Sequence, residues 1–200
     1  MARLPTPALF DQWAQSYDAA PNPLRLLEER TLPELLGDVR GLHVIDAGCG
    51  TGVRLRALRA QGARAVGFDW SPKMLQASPT AVAQGDLRAP CFQDESADLV
   101  LCTFALAYAP QAVSALAALV RPDGRLVLSD VHPANDWSRG FPGVPIAASN
   151  WNDPPGMTLE RRLEPSFNDA DRPLFGDRPD VLERARRGPA LQLDCWRKTR

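Results

Sequence analysis

The sequence predicts an α/β protein: a doubly wound sheet of about seven strands, mostly parallel with an antiparallel last strand, and helices on both faces. Three observations carry this expectation. An apolar run, His43-Val44-Ile45-Asp46, passes into a glycine turn and then a helical stretch. Short apolar runs go on alternating with helical stretches as far as residue 132, as crossovers between parallel strands require. The closing residues, Ala190 to Arg197, alternate apolar and polar as a half-covered antiparallel strand does.

Two hundred residues suit one domain with a core of its own. A net charge of −1 argues against the broad basic face of a nucleic-acid binder. Only two of the 23 basic residues are lysines, Lys73 and Lys198, and the arginines are scattered rather than striped. The four cysteines, Cys49, Cys91, Cys102 and Cys195, form no C-x-x-C pair, so reduced thiols are expected. No His/Cys/Asp cluster has ligand spacing, so no metal is expected. The opening Met-Ala-Arg-Leu-Pro lacks the apolar stretch of a signal peptide, and no run of 18 apolar residues occurs. Those features predict a cytoplasmic protein without a membrane partner.

Taken in order, residues 7 to 18 read as a helix, with Phe10, Trp13, Ala14 and Tyr17 at helical spacing. Residues 23 to 36 form a second helical stretch, interrupted or restarted at Pro33. The first strand spans 42 to 46, and the helix after it spans 53 to 60. There Val53, Leu55 and Leu58 are expected inward and Arg54, Arg56 and Arg59 outward, with Gly62 closing the helix. The second strand, Ala65 to Asp69, ends in an acid 23 residues after Asp46. A carboxylate there suits a pair of ribose hydroxyls. Ser71-Pro72 reads as a helix cap followed by proline in the first turn. Ala81 to Gln84 is a short third strand, ending at Gly85-Asp86-Leu87. A fourth apolar run reaches Thr103, a helix spans 111 to 120, and Asp123-Gly124 is a turn pair before the fifth strand. Past residue 132 the pattern thins: nine of the 19 prolines lie from Pro133 onward, and Pro154-Pro155 forbids a regular helix there. Thr158 to Leu163 reads as a sixth strand, Val181 to Arg187 as a helix and Ala190 to Arg197 as the last strand.

The glycine turn has its own chemistry. Glycines 48, 50 and 52 permit positive φ and close approach of a ligand to the backbone, while the next helix offers free N–H groups. The spacing is not the dinucleotide G-x-G-x-x-G, because position 53 is Val. Asp46-x-Gly48-x-Gly50-x-Gly52 resembles the first motif of the class I S-adenosylmethionine-dependent methyltransferases of small-molecule type, which have a Rossmann-like fold. The resemblance continues through the Phe10-Asp11…Tyr17-Asp18 stretch, Gly67-Phe68-Asp69-Trp70-Ser71-Pro72-Lys73-Met74-Leu75, Gly85-Asp86-Leu87, residues 90 to 103 and Arg121 to Asp130.

That resemblance implies S-adenosylmethionine as cofactor and assigns its contacts. Gly48, Cys49, Gly50 and Gly52, with Asp46, would hold the methionine end. Asp69 would take the ribose, Trp70 and Met74 would lie near the adenine, and Asp86 with the Leu87 N–H would read its edge. Tyr17 would reach the cofactor from an N-terminal lid, and Thr103 would end beside the transferring methyl. The domain would divide into lid helices over 1–40, a cofactor-binding core over 41–132, and a less readable part over 133–200. Two readings stay open for the first helix, a lid or an amphipathic helix packed on the sheet. Trp70 is likewise a stacking face or a plain anchor.

The activity implied is methyl transfer to a small-molecule acceptor, with oxygen or nitrogen accepting, by a monomer or homodimer. No catalytic residue is assigned. Asp130 and His132 are the candidates for a base, with His132 read as a bystander and His43 as structural. The departure from the family lies at 133–156, where a substrate-covering helix and insert are expected and proline-rich sequence stands instead. It motivates an alternative, a cofactor-binding protein without turnover. A nicotinamide oxidoreductase fits the fold class but not the glycine spacing.

Overall fold

The structure is a computed structural model that describes residues 7–19, 22–78, 81–134 and 151–199. Among the described residues, seven strands form one sheet: β1 His43–Ala47, β2 Arg64–Asp69, β3 Val82–Gln84, β4 Ala97–Thr103, β5 Val120–Val131, β6 Met157–Leu163 and β7 Leu191–Lys198. Their order is β3-β2-β1-β4-β5-β7-β6. β1 pairs parallel with β2 and β4, β2 with β3, and β4 with β5. β7 pairs antiparallel with both β5 and β6 and runs against the rest. The expected sheet is therefore present, down to its antiparallel last strand. The chain winds outward from β1 to β3 and then returns to β4 on the other side of β1. That reversal opens a crevice at the carboxyl ends of β1 and β4.

Helices α1 Pro7–Trp13, α2 Pro23–Thr31, α3 Pro33–Leu36, α4 Val53–Ala60, α5 Pro72–Gln76, α6 Val113–Leu119 and α7 Pro179–Ala185 cover the sheet. Along β4, Leu99 and Leu101 join a core cluster with Leu24, Leu55 and Leu182. Val100 and Cys102 join the opposite cluster with Leu116. A central parallel strand covered on both faces needs a continuous apolar run, and β4 has one from Leu99 to Cys102. β6, at the edge, is exposed over most of its length and carries Glu160, Arg161 and Arg162, charges that discourage edge pairing.

Local chemistry sets the helix starts. Asn22 accepts from the Leu24 and Arg25 N–H groups ahead of Pro23. The Ser71 side chain accepts from the Met74 N–H ahead of Pro72. Both pair a polar cap with a proline that lacks an N–H to satisfy.

Four expectations need correction. The first helix ends at Trp13 rather than at 18. The chain turns there because the Arg25 guanidinium takes the Tyr17 and Asp18 carbonyls, and the Asp18 carboxylate accepts the Thr51 hydroxyl at 2.7 Å. On α4 the inward set is Leu55 and Leu58, while Val53 is 37% exposed. Arg54 points inward to pair with the buried Glu28 of α2. The helix expected over 111–120 is α6, preceded by a 3₁₀ turn over Pro110–Ala112. Asp123-Gly124 does not separate helix from strand: β5 already begins at Val120 and bends where Asp123 has φ 62°. A Cβ on Gly124 would meet Val120 Cγ1 at 2.8 Å and the Arg121 carbonyl at 2.9 Å, so only glycine fits the bend.

The later elements sit within two residues of expectation. Residues 135–150, most of the proline-rich stretch, lie outside the described residues, whereas Pro154-Pro155 lies in irregular chain before β6. Among the described residues, no helix is long and apolar enough to cross a membrane.

Candidate functional site

β1 delivers Asp46 and Ala47 to the crevice and the chain then turns through the glycines. Gly48, Gly50 and Gly52 have φ of 76°, 54° and 76°, a region that favours glycine. A Cβ on Gly48 would also lie 2.8 Å from Ala105 Cβ. The turn is stitched to β2: the Gly48 and Cys49 N–H groups donate to the Phe68 carbonyl at 2.8 and 3.0 Å. The Gly50 N–H donates to Asp69 Oδ2 at 2.9 Å. Asp69 Oδ1 accepts the Ser71 N–H at 2.8 Å. Burial raises the Asp69 carboxyl above its ordinary range, opposed by these backbone bonds.

Two hollows meet at this turn. The larger cleft, about 500 Å³, brings together Tyr17, Gly48, Gly50, Asp69 and Trp70, and beyond them Met74, Asp86, Leu87 and Thr103. Its volume lies in the range of small-molecule sites. The smaller, about 300 Å³, shares Tyr17, Gly48, Gly50 and Thr103 and adds Asp46 and Cys49. Gly52 lines neither and instead caps α4. Trp70 is 39% exposed, while Met74 is buried beside it on α5.

Beneath the smaller hollow lies a charged group that helical periodicity did not reveal. Asp46 is buried and its Oδ2 has no hydrogen-bond partner among the described residues. Burial pushes its carboxyl up to about 7, against the downward pull of Arg54. Burial also raises Glu28, again opposed by Arg54. Two carboxyl groups thus depend on one guanidinium. The signal available in the sequence was Arg54 itself, a cation in the first turn of a helix, where the dipole disfavours it. Burial holds the Cys49 thiol far above its ordinary range, which favours the protonated form.

The far end of the larger cleft is aromatic. Phe10 and Trp13 of α1 meet edge-on at 5.7 Å, and Phe10 meets Tyr108 edge-on at 5.0 Å. Asp130 at the end of β5 accepts the Ala107 N–H at 2.9 Å and the Val131 N–H at 2.8 Å. His132 lies outside both hollows, with Nε2 3.5 Å from Glu164. His43 stands at the start of β1 with Nε2 3.3 Å from Arg64. Among the described residues, no group of three His, Cys, Asp or Glu could hold a metal ion.

Residues 45–128 match the methyltransferase domain family. A demethylmenaquinone methyltransferase of Tropheryma whipplei is 32% identical over 143 residues, which make up 62% of this chain and 59% of that protein. A malonyl-[acyl-carrier protein] O-methyltransferase of Dechloromonas aromatica is 36% identical over 131 residues, 62% of this chain and 50% of that protein. The chain thus spans between half and three fifths of these curated relatives. Among solved structures, the magnesium protoporphyrin IX methyltransferase of Synechocystis, with bound S-adenosylhomocysteine, superposes with a TM-score of 0.64 at 21% identity. The match covers 96% of this chain and 94% of that one. The family match is confined to residues 45–128, less than half of this chain, and the likeness to solved S-adenosylmethionine-dependent methyltransferases is one of fold.

The described residues fit the cofactor of that class. The glycine cradle has no room for a side chain at Gly48. Asp46, whose buried Oδ2 has no hydrogen-bond partner among the described residues, lines the smaller hollow, and a buried polar atom of that kind suits a ligand with a hydrogen-bond donor.

Proposed function

We propose that this protein moves a methyl group from S-adenosylmethionine to a small-molecule acceptor, with oxygen or nitrogen as the accepting atom. The observation that carries this reading is the placing of three acids. Asp46 lies on β1, Asp69 ends β2, and Asp86 follows β3, so adjacent parallel strands present a carboxylate each around joined hollows. Their spacing along the sheet edge suits one extended ligand with an amino-acid end, a sugar and a base.

In this reading Asp69 accepts the ribose hydroxyls, its carboxylate already aimed by Gly50 and Ser71. Trp70, Met74 and Leu87 flank the base, and Asp86 accepts from its amine. Asp46 balances the ammonium of the methionine part, and Tyr17 closes the site from the segment after α1. S-adenosylmethionine, when bound, supplies an activated methyl on a sulfonium that leaves by in-line displacement. The protein's task is then to align acceptor and methyl and to keep water out. In this reading the aromatic end of the cleft serves the acceptor, and Asp130, which lines the same cleft, is the candidate to take its proton where the accepting atom is a hydroxyl oxygen. The modest net charge of −1 supports a small acceptor over a nucleic acid.

Calorimetric titration with S-adenosylmethionine and S-adenosylhomocysteine tests the assignment. Binding by the wild type, weakened roughly 10- to 100-fold in Asp69→Ala, is expected from the loss of hydrogen bonds to a charged acceptor. A folded wild-type protein that binds neither compound overturns the reading. Binding without turnover across a broad acceptor panel would instead mark a cofactor-binding protein that has lost catalysis.

A further inference from the structure

The base end of the cleft is already engaged by a side chain of the protein. Arg88 follows β3, and its guanidinium carbon stands 5.7 Å from the centroid of the Trp70 ring. The same guanidinium grips Asp86: Nε donates to Oδ1 at 2.9 Å and to Oδ2 at 3.1 Å, and Nη2 donates to Oδ2. The Arg88 backbone N–H adds a bond to Asp86 Oδ1 at 2.9 Å. Trp70, Asp86 and Arg88 all line the larger cleft.

We propose that Arg88 is an internal competitor at the nucleoside subsite and sets that subsite's affinity. This rests on the cofactor reading above. The two groups assigned to the adenine, the Trp70 face and the Asp86 carboxylate, are the two groups that Arg88 holds. One ring face does not take a stacked base and a guanidinium together, and the Asp86 oxygens are spanned by the arginine fork. An entering base therefore displaces Arg88, replacing a cation–π contact by stacking and an ion pair by an amine hydrogen bond. The exchange is within reach because both arginine contacts are exposed, with half of the Arg88 side chain open to solvent, and such contacts are individually weak. Binding-competent molecules are those with Arg88 turned away, and apparent affinity falls by their fraction. Arg88 thus tunes how much cofactor the protein needs without touching the methyl or the acceptor.

The test is S-adenosylhomocysteine binding to wild type, Arg88→Ala and Arg88→Lys, by calorimetry and by stopped-flow tryptophan fluorescence. Arg88→Ala is expected to bind roughly three- to tenfold tighter, with the gain in the association rate. Arg88→Lys keeps the charge but not the bidentate fork, and is expected to fall between the two. Equal or weaker binding by Arg88→Ala overturns the proposal and leaves the cofactor reading standing. Absence of binding by wild type and Arg88→Ala alike, both folded by circular dichroism, overturns the cofactor reading and the proposal with it.

Discussion

Gly50 and Asp69 are joined, the Gly50 N–H donating to Asp69 Oδ2 at 2.9 Å. The glycine turn and the acid of the second strand are therefore one rigid unit, although 19 residues separate them in the chain. With its other oxygen on the Ser71 N–H, the carboxylate has its direction set by backbone before any ligand arrives. Substitution should then cost stability as well as binding. Asp69→Ala leaves two N–H groups unpaired and is expected to lower unfolding free energy by about 1–3 kcal/mol in urea titrations. Asp69→Asn, which keeps one acceptor oxygen, should lose less.

Asp46 predicts a pH dependence of opposite sign to that of an ordinary paired acid. Its carboxyl is pushed up to about 7 by burial, against roughly 3.9 in an unfolded chain. Between those values the native state holds more protons than the unfolded one, so its contribution to stability falls as pH rises and levels off above 7. Asp46→Asn removes this dependence. Urea midpoints measured at pH 5 and pH 8 should show the variant gaining on wild type by at most about 3 kcal/mol across the interval. A constant difference between variant and wild type at both pH values would sink the prediction.

Arg54 is the counter-charge for both Asp46 and Glu28. Removing it leaves two buried carboxyl groups without a cation, and Arg54→Met is expected to destabilise by about 3–5 kcal/mol. Glu28→Gln in the same chain should restore part of that loss, because the uncompensated group goes with it. A double-mutant cycle reads the coupling, and additive losses would show that the two side chains do not depend on each other.

Legibility in the sequence followed distance along the chain. The Ser71-Pro72 start of α5 and the positive-φ glycines are signalled within a few residues, and the structure has each. The last strand is antiparallel as expected, but it is buried from Leu193 to Trp196 rather than half-covered, because β6 pairs beyond it. Arg54 was misplaced outward because helical periodicity is local, whereas its partner Glu28 lies 26 residues away on α2. The early end of α1 depends in the same way on Arg25 reaching back seven and eight residues to two carbonyls. Asp86 differs, since Arg88 stands two residues later in plain view. What the sequence does not display is that the guanidinium folds back over both Asp86 and Trp70. The candidate site was thus legible as a set of acids and glycines, and its pairing into ionic groups was not.

Tyr108 gives a last prediction, for the aromatic end of the cleft. It sits in the 3₁₀ turn Leu106–Tyr108, with its ring edge-on to Phe10 at 5.0 Å. Its hydroxyl is buried and has no hydrogen-bond partner among the described residues. A buried hydroxyl without a partner costs its desolvation and returns nothing, so removing it should not hurt the fold. Tyr108→Phe keeps the ring contact and is expected to match the wild type or exceed it by up to about 1 kcal/mol. Tyr108→Ala loses the contact with α1 and opens a void, and is expected to cost about 3–5 kcal/mol. Thermal and urea unfolding of the three chains decides between ring and hydroxyl. A Tyr108→Phe chain clearly less stable than wild type would mean that the hydroxyl is bonded in solution, and the aromatic end would then be more polar than its three rings suggest.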